Sequence, residues 1–170
     1  MNVALTGFMG AGKSTVGRRL ARMLGMHFVD SDAQIVRDHG PISEIFAHDG
    51  EAQFRRWEHE VIARLAADSS QVIAVGGGAV LDPKNRRLLR DRGYIVHLSI
   101  SPEAAYRRVA HRTHRPVLGE TPTIDRIREL LEVRAAAYAD NDFSITVEDS
   151  TAGRVAGTIA RWYRDRMRGA

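Results

Sequence analysis

The chain has 170 residues, 44% of them hydrophobic and 27% charged, the composition of a soluble globular protein long enough for one core. It has no cysteine, which excludes a disulfide framework and a thiolate metal site, and no apolar run near the roughly 20 residues of a membrane span. The formal net charge is +4 and the pI about 9.9, carried almost wholly by arginine, which admits either nucleic-acid binding or the handling of small anions.

The arginines are spread, with local clusters at 18–22, 86–92, 107–115 and 161–168, and Lys13 and Lys84 are the only lysines. No basic stripe interleaved with aromatics appears, so the small-anion reading is favoured over nucleic acid. No secretory leader is visible either. A cytoplasmic protein with neither nucleic acid nor membrane as partner is expected.

In chain order, Val3–Thr6 reads as a strand that runs straight into Gly7-Phe8-Met9-Gly10-Ala11-Gly12-Lys13-Ser14. That octet fits G-x-x-x-x-G-K-[ST], and the apolar positions Val16, Leu20 and Met23/Leu24 behind it predict a helix over 14–24. Glycines let backbone N–H groups approach a polyphosphate closely, and the helix N-terminus adds positive potential. Lys13 would reach the β/γ-phosphates, and Ser14 would ligate Mg²⁺. Gly10, Ala11, Gly12 and Thr15 complete the nucleotide-binding set.

A weaker strand at 27–30 ends in Asp30-Ser31-Asp32. At a strand's carboxyl end these carboxylates stand beside the glycine loop, one turned to Mg²⁺ and its water, the other to a substrate hydroxyl. The same residues would also make a good cap for a helix over 32–39. A further helix over 51–67 carries Arg55 and Glu58 at i, i+3, close enough to pair, although a solvated charged face is normally the better reading of such a pattern. The strand 72–75 then ends in Gly76-Gly77-Gly78, which offers bare backbone either to a ligand or to a close-packed turn.

Helices are expected over 83–92 and 102–111, each with proline in its first turn, with the strand 94–98 between them. Residues 112–123 hold two prolines, a glycine and two arginines without periodicity, and predict a lid that closes over phosphates. Helix 124–139, an alternating edge strand at 143–147 and helix 152–167, started by Thr151, complete the chain. Alternating strands and helices imply right-handed crossovers and an α/β fold with a five-stranded parallel sheet covered on both faces.

Six stretches in order resemble the shikimate kinases, a P-loop kinase family related to nucleoside monophosphate kinases. They are GFMGAGKSTVGRRLA, the strand-end DSD, IFAHDGEAQFRRWE, VGGGAV, Arg115-Pro-Val-Leu118 and Arg134 in EVRAAAYAD. The glycine loop by itself identifies only the superfamily. The resemblance spans nearly the whole chain as one domain, 1–170, and implies ATP-dependent phosphorylation of shikimate to shikimate 3-phosphate in aromatic amino-acid biosynthesis.

It also implies roles. Lys13 and Ser14 hold phosphates and Mg²⁺, with Asp30 supporting the metal through water. Asp32 holds the acceptor hydroxyl and takes its proton. Arg55 and Arg134 clamp the shikimate carboxylate, Glu58 orients that end, the Gly76–Gly78 backbone lines the pocket, and Phe46 and Phe54 form its apolar wall. Arg115 is the lid arginine, and Arg108 or Arg112 packs on adenine. Val117 replaces the family's usual leucine, a conservative change. The resemblance thus makes Lys13, Asp32 and Arg115 the catalytic set, with ATP and Mg²⁺ as cofactors and a monomer expected. The runner-up is another small-molecule P-loop kinase, such as gluconate kinase. A nucleotide-binding regulatory protein of the same fold would be expected to lack Asp32, Arg55 or Arg134, and all three are present.

Overall fold

The computed structural model describes residues 1–110 and 122–169. Five strands, β1 (Asn2–Thr6), β2 (His27–Asp30), β3 (Gln71–Ala74), β4 (Gly93–Ser99) and β5 (Phe143–Thr146), pair in the order β2-β3-β1-β4-β5, all parallel. Helices fill the connections: α1 (Lys13–Leu24), α2 (Ser31–His39), α3 (Ile42–His48), α4 (Gly50–Ala67), α5 (Pro83–Asp91), α6 (Pro102–Val109), α7 (Ile124–Ala139) and α8 (Ala152–Arg168).

Burial follows position in the sheet. Every residue of β1 and β3 is buried, because both faces of these central strands are covered, whereas the edge strand β5 alternates between half-buried and exposed. This is why β1 and β3 are apolar or small after their first residues, Asn2 and Gln71, and β5 alternates. Val3, Leu5, Ile73, Ile95 and Leu98 form the sheet's share of one core, and Leu20, Ile62, Leu89 and Ile159 meet it from the helices.

Several helix starts carry side-chain caps, Thr151 among them as expected. Asp82, Ser101, Thr123 and Thr151 each accept a backbone N–H from the first turn of α5, α6, α7 and α8. The expected strand 72–75 sits one residue earlier, and Val75 continues the line by donating its N–H to Leu5 O at 3.1 Å. Helix α6 ends at Val109 rather than 111. Two elements were not anticipated, α3 and a 3-10 turn at Ala79–Leu81. Helix α3 has seven residues, no side-chain cap and one fully buried side chain, Ile45, so it leaves little periodic signal. The proposed lid segment, with Arg112 and Arg115, lies outside the described residues except for Pro122 and Thr123. No helix among the described residues is long and apolar enough to cross a membrane.

Candidate active site

Asp30 of β2 pairs with Ala74 of β3, and Ala74 with Leu5 of β1, so the three strands end level and their turns start side by side. The loop after β1 is shaped by glycine where no other residue fits. Gly7 has φ 138°, and a Cβ there would stand 2.5 Å from the Leu98 carbonyl oxygen. Gly12 stands at the N-cap of α1 with left-handed backbone and no capping side chain, so the first N–H groups of α1 are left for a ligand. Lys13 Nζ donates to the carbonyls of Gly7 at 2.7 Å and Phe8 at 3.3 Å, curling over the loop. Ala11 is buried beneath it, Thr15 is exposed, and Arg108 donates to Gly10 O at 3.0 Å and Val147 O at 3.2 Å from the far side.

Asp30 takes the cap, and its second oxygen turns to the glycine loop. Its Oδ1 accepts from the Ala33 N–H at 3.3 Å and caps α2, while its Oδ2 accepts from Ser14 Oγ at 2.6 Å. The result is a pair of hard oxygen donors at the mouth of the glycine loop, of the kind Mg²⁺ takes alongside waters and phosphates.

The three glycines after β3 form the opposite wall. A Cβ on Gly76 would stand 2.7 Å from both Asp32 Oδ1 and Glu58 Oε1, and one on Gly78 would stand 2.7 Å from Arg55 Nη2. The Gly77 carbonyl accepts from Arg134 Nη1 at 3.3 Å. Residues from α2, α4 and α7 thus converge on one bare turn, and a side chain on Gly76 or Gly78 would displace Asp32, Glu58 or Arg55. Arg55 donates to Glu58 at 2.7 Å and makes a second ion pair with Glu51 at 3.0 Å. The Phe54 ring lies under the Arg55 guanidinium and 5.0 Å from the ring of Phe46; Phe8 lies under Arg134.

The electrostatics are those of a nearly dry wall. Glu58 is 1% exposed and Arg134 4%. Burial pushes the Glu58 carboxyl above its usual range against the pull of Arg55, and the neighbouring Asp32 charge adds to the rise. Oε1 of Glu58 is buried with no hydrogen-bond partner among the described residues, and it faces the glycine turn. Such a group is costly unless a ligand donates to it.

Three residues at this site escaped sequence reading. Ser31 accepts the Gly76 N–H on its Oγ at 3.1 Å and is fully buried, although in the sequence it was only a cap candidate between two aspartates. Tyr138 donates to Gly77 O at 2.7 Å. It follows Arg134 by four residues, so helical spacing could have placed it on the same face. His97 on β4 stacks on Tyr138, and nothing local in an apolar strand points to that.

The shikimate kinase family model matches residues 9–164. A shikimate kinase of Geobacter sulfurreducens is 45% identical over 165 residues, which cover 96% of this chain and 91% of that one. The chain belongs to the shikimate kinase family. The structure of shikimate kinase from Acinetobacter baumannii in complex with shikimate superposes with a TM-score of 0.93 at 36% identity, covering 97% of this chain and 93% of that one. A gluconokinase from Sinorhizobium meliloti reaches a TM-score of 0.67 at 21% identity, a likeness of fold alone. The shikimate kinase family's reaction is ATP-dependent phosphorylation of shikimate in aromatic amino-acid biosynthesis, and this chain is a kinase of that family.

Proposed function

We propose that the γ-phosphoryl group of ATP crosses from the glycine loop to the 3-hydroxyl of shikimate lying against Gly76–Gly78. Phosphoryl transfer asks chiefly for positioning and for positive charge around the moving group. Lys13 supplies that charge once its amino group turns from the Gly7 and Phe8 carbonyls to the phosphates. The α1 N–H groups hold the remaining oxygens. Ser14 and Asp30 would hold Mg²⁺, which when bound neutralises phosphate charge. Asp32, beside the glycine turn, orients the acceptor hydroxyl and takes its proton. Glu58 accepts from a second acceptor hydroxyl and keeps Arg55 in place. Arg108 borders the nucleotide side, and the lid roles of Arg112 and Arg115 rest on the motif resemblance.

The observation that carries this reading is the convergence of Arg55 and Arg134, from two different helices, on the turn that Asp32 also faces. Two guanidiniums can hold a planar carboxylate through charge-assisted hydrogen bonds. Such bonds are worth roughly 1.5–3 kcal/mol each, so shikimate methyl ester should lose at least about 100-fold in kcat/KM. Arg134→Ala should weaken shikimate comparably and leave the ester almost untouched, which makes the two penalties non-additive. Equal rates with acid and ester in the wild type would remove the clamp and the shikimate assignment, but not the kinase fold.

A further inference from the structure

Arg134 and Tyr138 stand one turn apart on α7, and both donate to the same acceptor, the Gly77 carbonyl. Their distances run against their chemistry. The neutral phenol sits at 2.7 Å and the guanidinium at 3.3 Å, although the charged donor should make the shorter bond. We propose that Tyr138 is a positioning residue for the acceptor carboxylate: its hydroxyl takes the Gly77 carbonyl and so leaves the Arg134 fork turned toward the substrate. The inference rests on the reading of Arg134 as a carboxylate clamp.

The tyrosine is fixed well enough for this. It is 5% exposed, and its ring stacks on His97 with centroids 4.7 Å apart and planes inclined by 28°. Burial holds its phenol above the usual range, so it remains a donor. With Phe8, His97, Leu131 and Ser144, Tyr138 also lines a cleft of about 290 Å³. With the hydroxyl gone, the Gly77 carbonyl would have Arg134 as its one side-chain donor among the described residues. The guanidinium would then draw in to the roughly 2.7–2.9 Å of a charge-assisted bond and turn from the acceptor.

Tyr138→Phe keeps the ring and its stack and deletes only the donor. Steady-state kinetics of wild type, Y138F, R134A and the double variant, with shikimate and its methyl ester, give the test. A hydrogen bond of ordinary net worth predicts a rise of about 3- to 10-fold in KM for shikimate in Y138F. The KM for ATP should be unchanged, and the preference for acid over ester should shrink by the same factor. The double variant should match R134A. Calorimetric titration of shikimate at low temperature reads the same ratio if Y138F melts early. An unchanged shikimate KM, a uniform loss across ATP, acid and ester, or additive penalties would each overturn the proposal. If R134A itself leaves the acid-over-ester preference intact, the clamp falls first. If R134A erases that preference while Y138F preserves it, only the role of Tyr138 falls.

Discussion

At the scale of single residues, burial decides which groups carry charge. His97 lies between Thr6, whose hydroxyl is 3.4 Å from Nδ1, and the Tyr138 ring. Burial, and second the Lys13 ammonium, push its pKa from 6.5 down to about 4. The folded state therefore resists protonation that the unfolded chain accepts. Between about pH 6.5 and about 4 the unfolded state binds more protons, so this contribution to stability is complete above pH 6.5 and is lost as pH falls through that window. Melting temperature should decline across this range more steeply in wild type than in His97→Gln, whose side chain does not titrate. Parallel curves for the two proteins would show that His97 is not held neutral. Asp30 shows the complementary case, in which one carboxylate caps a helix with one oxygen and meets Ser14 with the other. From sequence the cap and a turn toward the glycine loop competed, and the two oxygens of one carboxylate do both.

At the scale of elements, the glycine turn after β3 is where chemistry and packing are hardest to separate by sequence. Its position at a buried strand's carboxyl end was legible, as were the glycine loop and the helix starts, because each rests on local rules of backbone and capping. What the turn faces was not legible, since Arg55, Glu58 and Arg134 reach it from helices distant in sequence. Spacing paired Arg55 with Glu58, but a role for these residues at the turn came only through the resemblance. Tyr138, Ser31 and α3 were missed for a related reason, being defined by tertiary contacts with weak local patterns. The turn yields a sharp expectation. Gly78 has φ −100°, which any residue tolerates, and a Cβ there would strike the end of a flexible guanidinium rather than backbone. Gly78→Ala should therefore change Tm by less than about 2 °C. Displacing Arg55 from the acceptor should raise the shikimate KM at least about 10-fold, with the ATP KM unchanged. Melting curves and two-substrate kinetics on the same preparation check this. A large fall in Tm would mean the turn is rigid and the arginine cannot yield.

At the scale of the whole molecule, the sheet divides the labour by sequence. In the proposed reading the glycine loop and α1 form the phosphate side, while the excursion α2-α3-α4 before β3 carries Asp32, Phe46, Phe54, Arg55 and Glu58 on the acceptor side. Helix α7 brings Arg134 to the Gly77 carbonyl and is tied down at its C-terminal end, where Asp140 receives Arg86 at 2.6 Å and Arg90 at 2.8 Å. Much of the basic cluster at 86–92 is thus bound within the chain, in keeping with the small-anion reading of the charge. Because the two sides belong to different elements, their functions should separate by mutation. Lys13 donates to the loop's own carbonyls at Gly7 and Phe8, whereas Arg55, Glu58 and Arg134 reach the acceptor turn from α4 and α7. Lys13→Ala should lower kcat by at least about 100-fold, the scale on which a single preorganised charge or donor acts at a transition state. Shikimate binding in the absence of nucleotide should stay within about threefold of wild type, well under the loss of one charged hydrogen bond. Isothermal titration with shikimate beside an ADP-release assay measures both. Loss of shikimate affinity together with turnover would show that the loop lysine also shapes the acceptor wall, and the division into two sides would have to be abandoned.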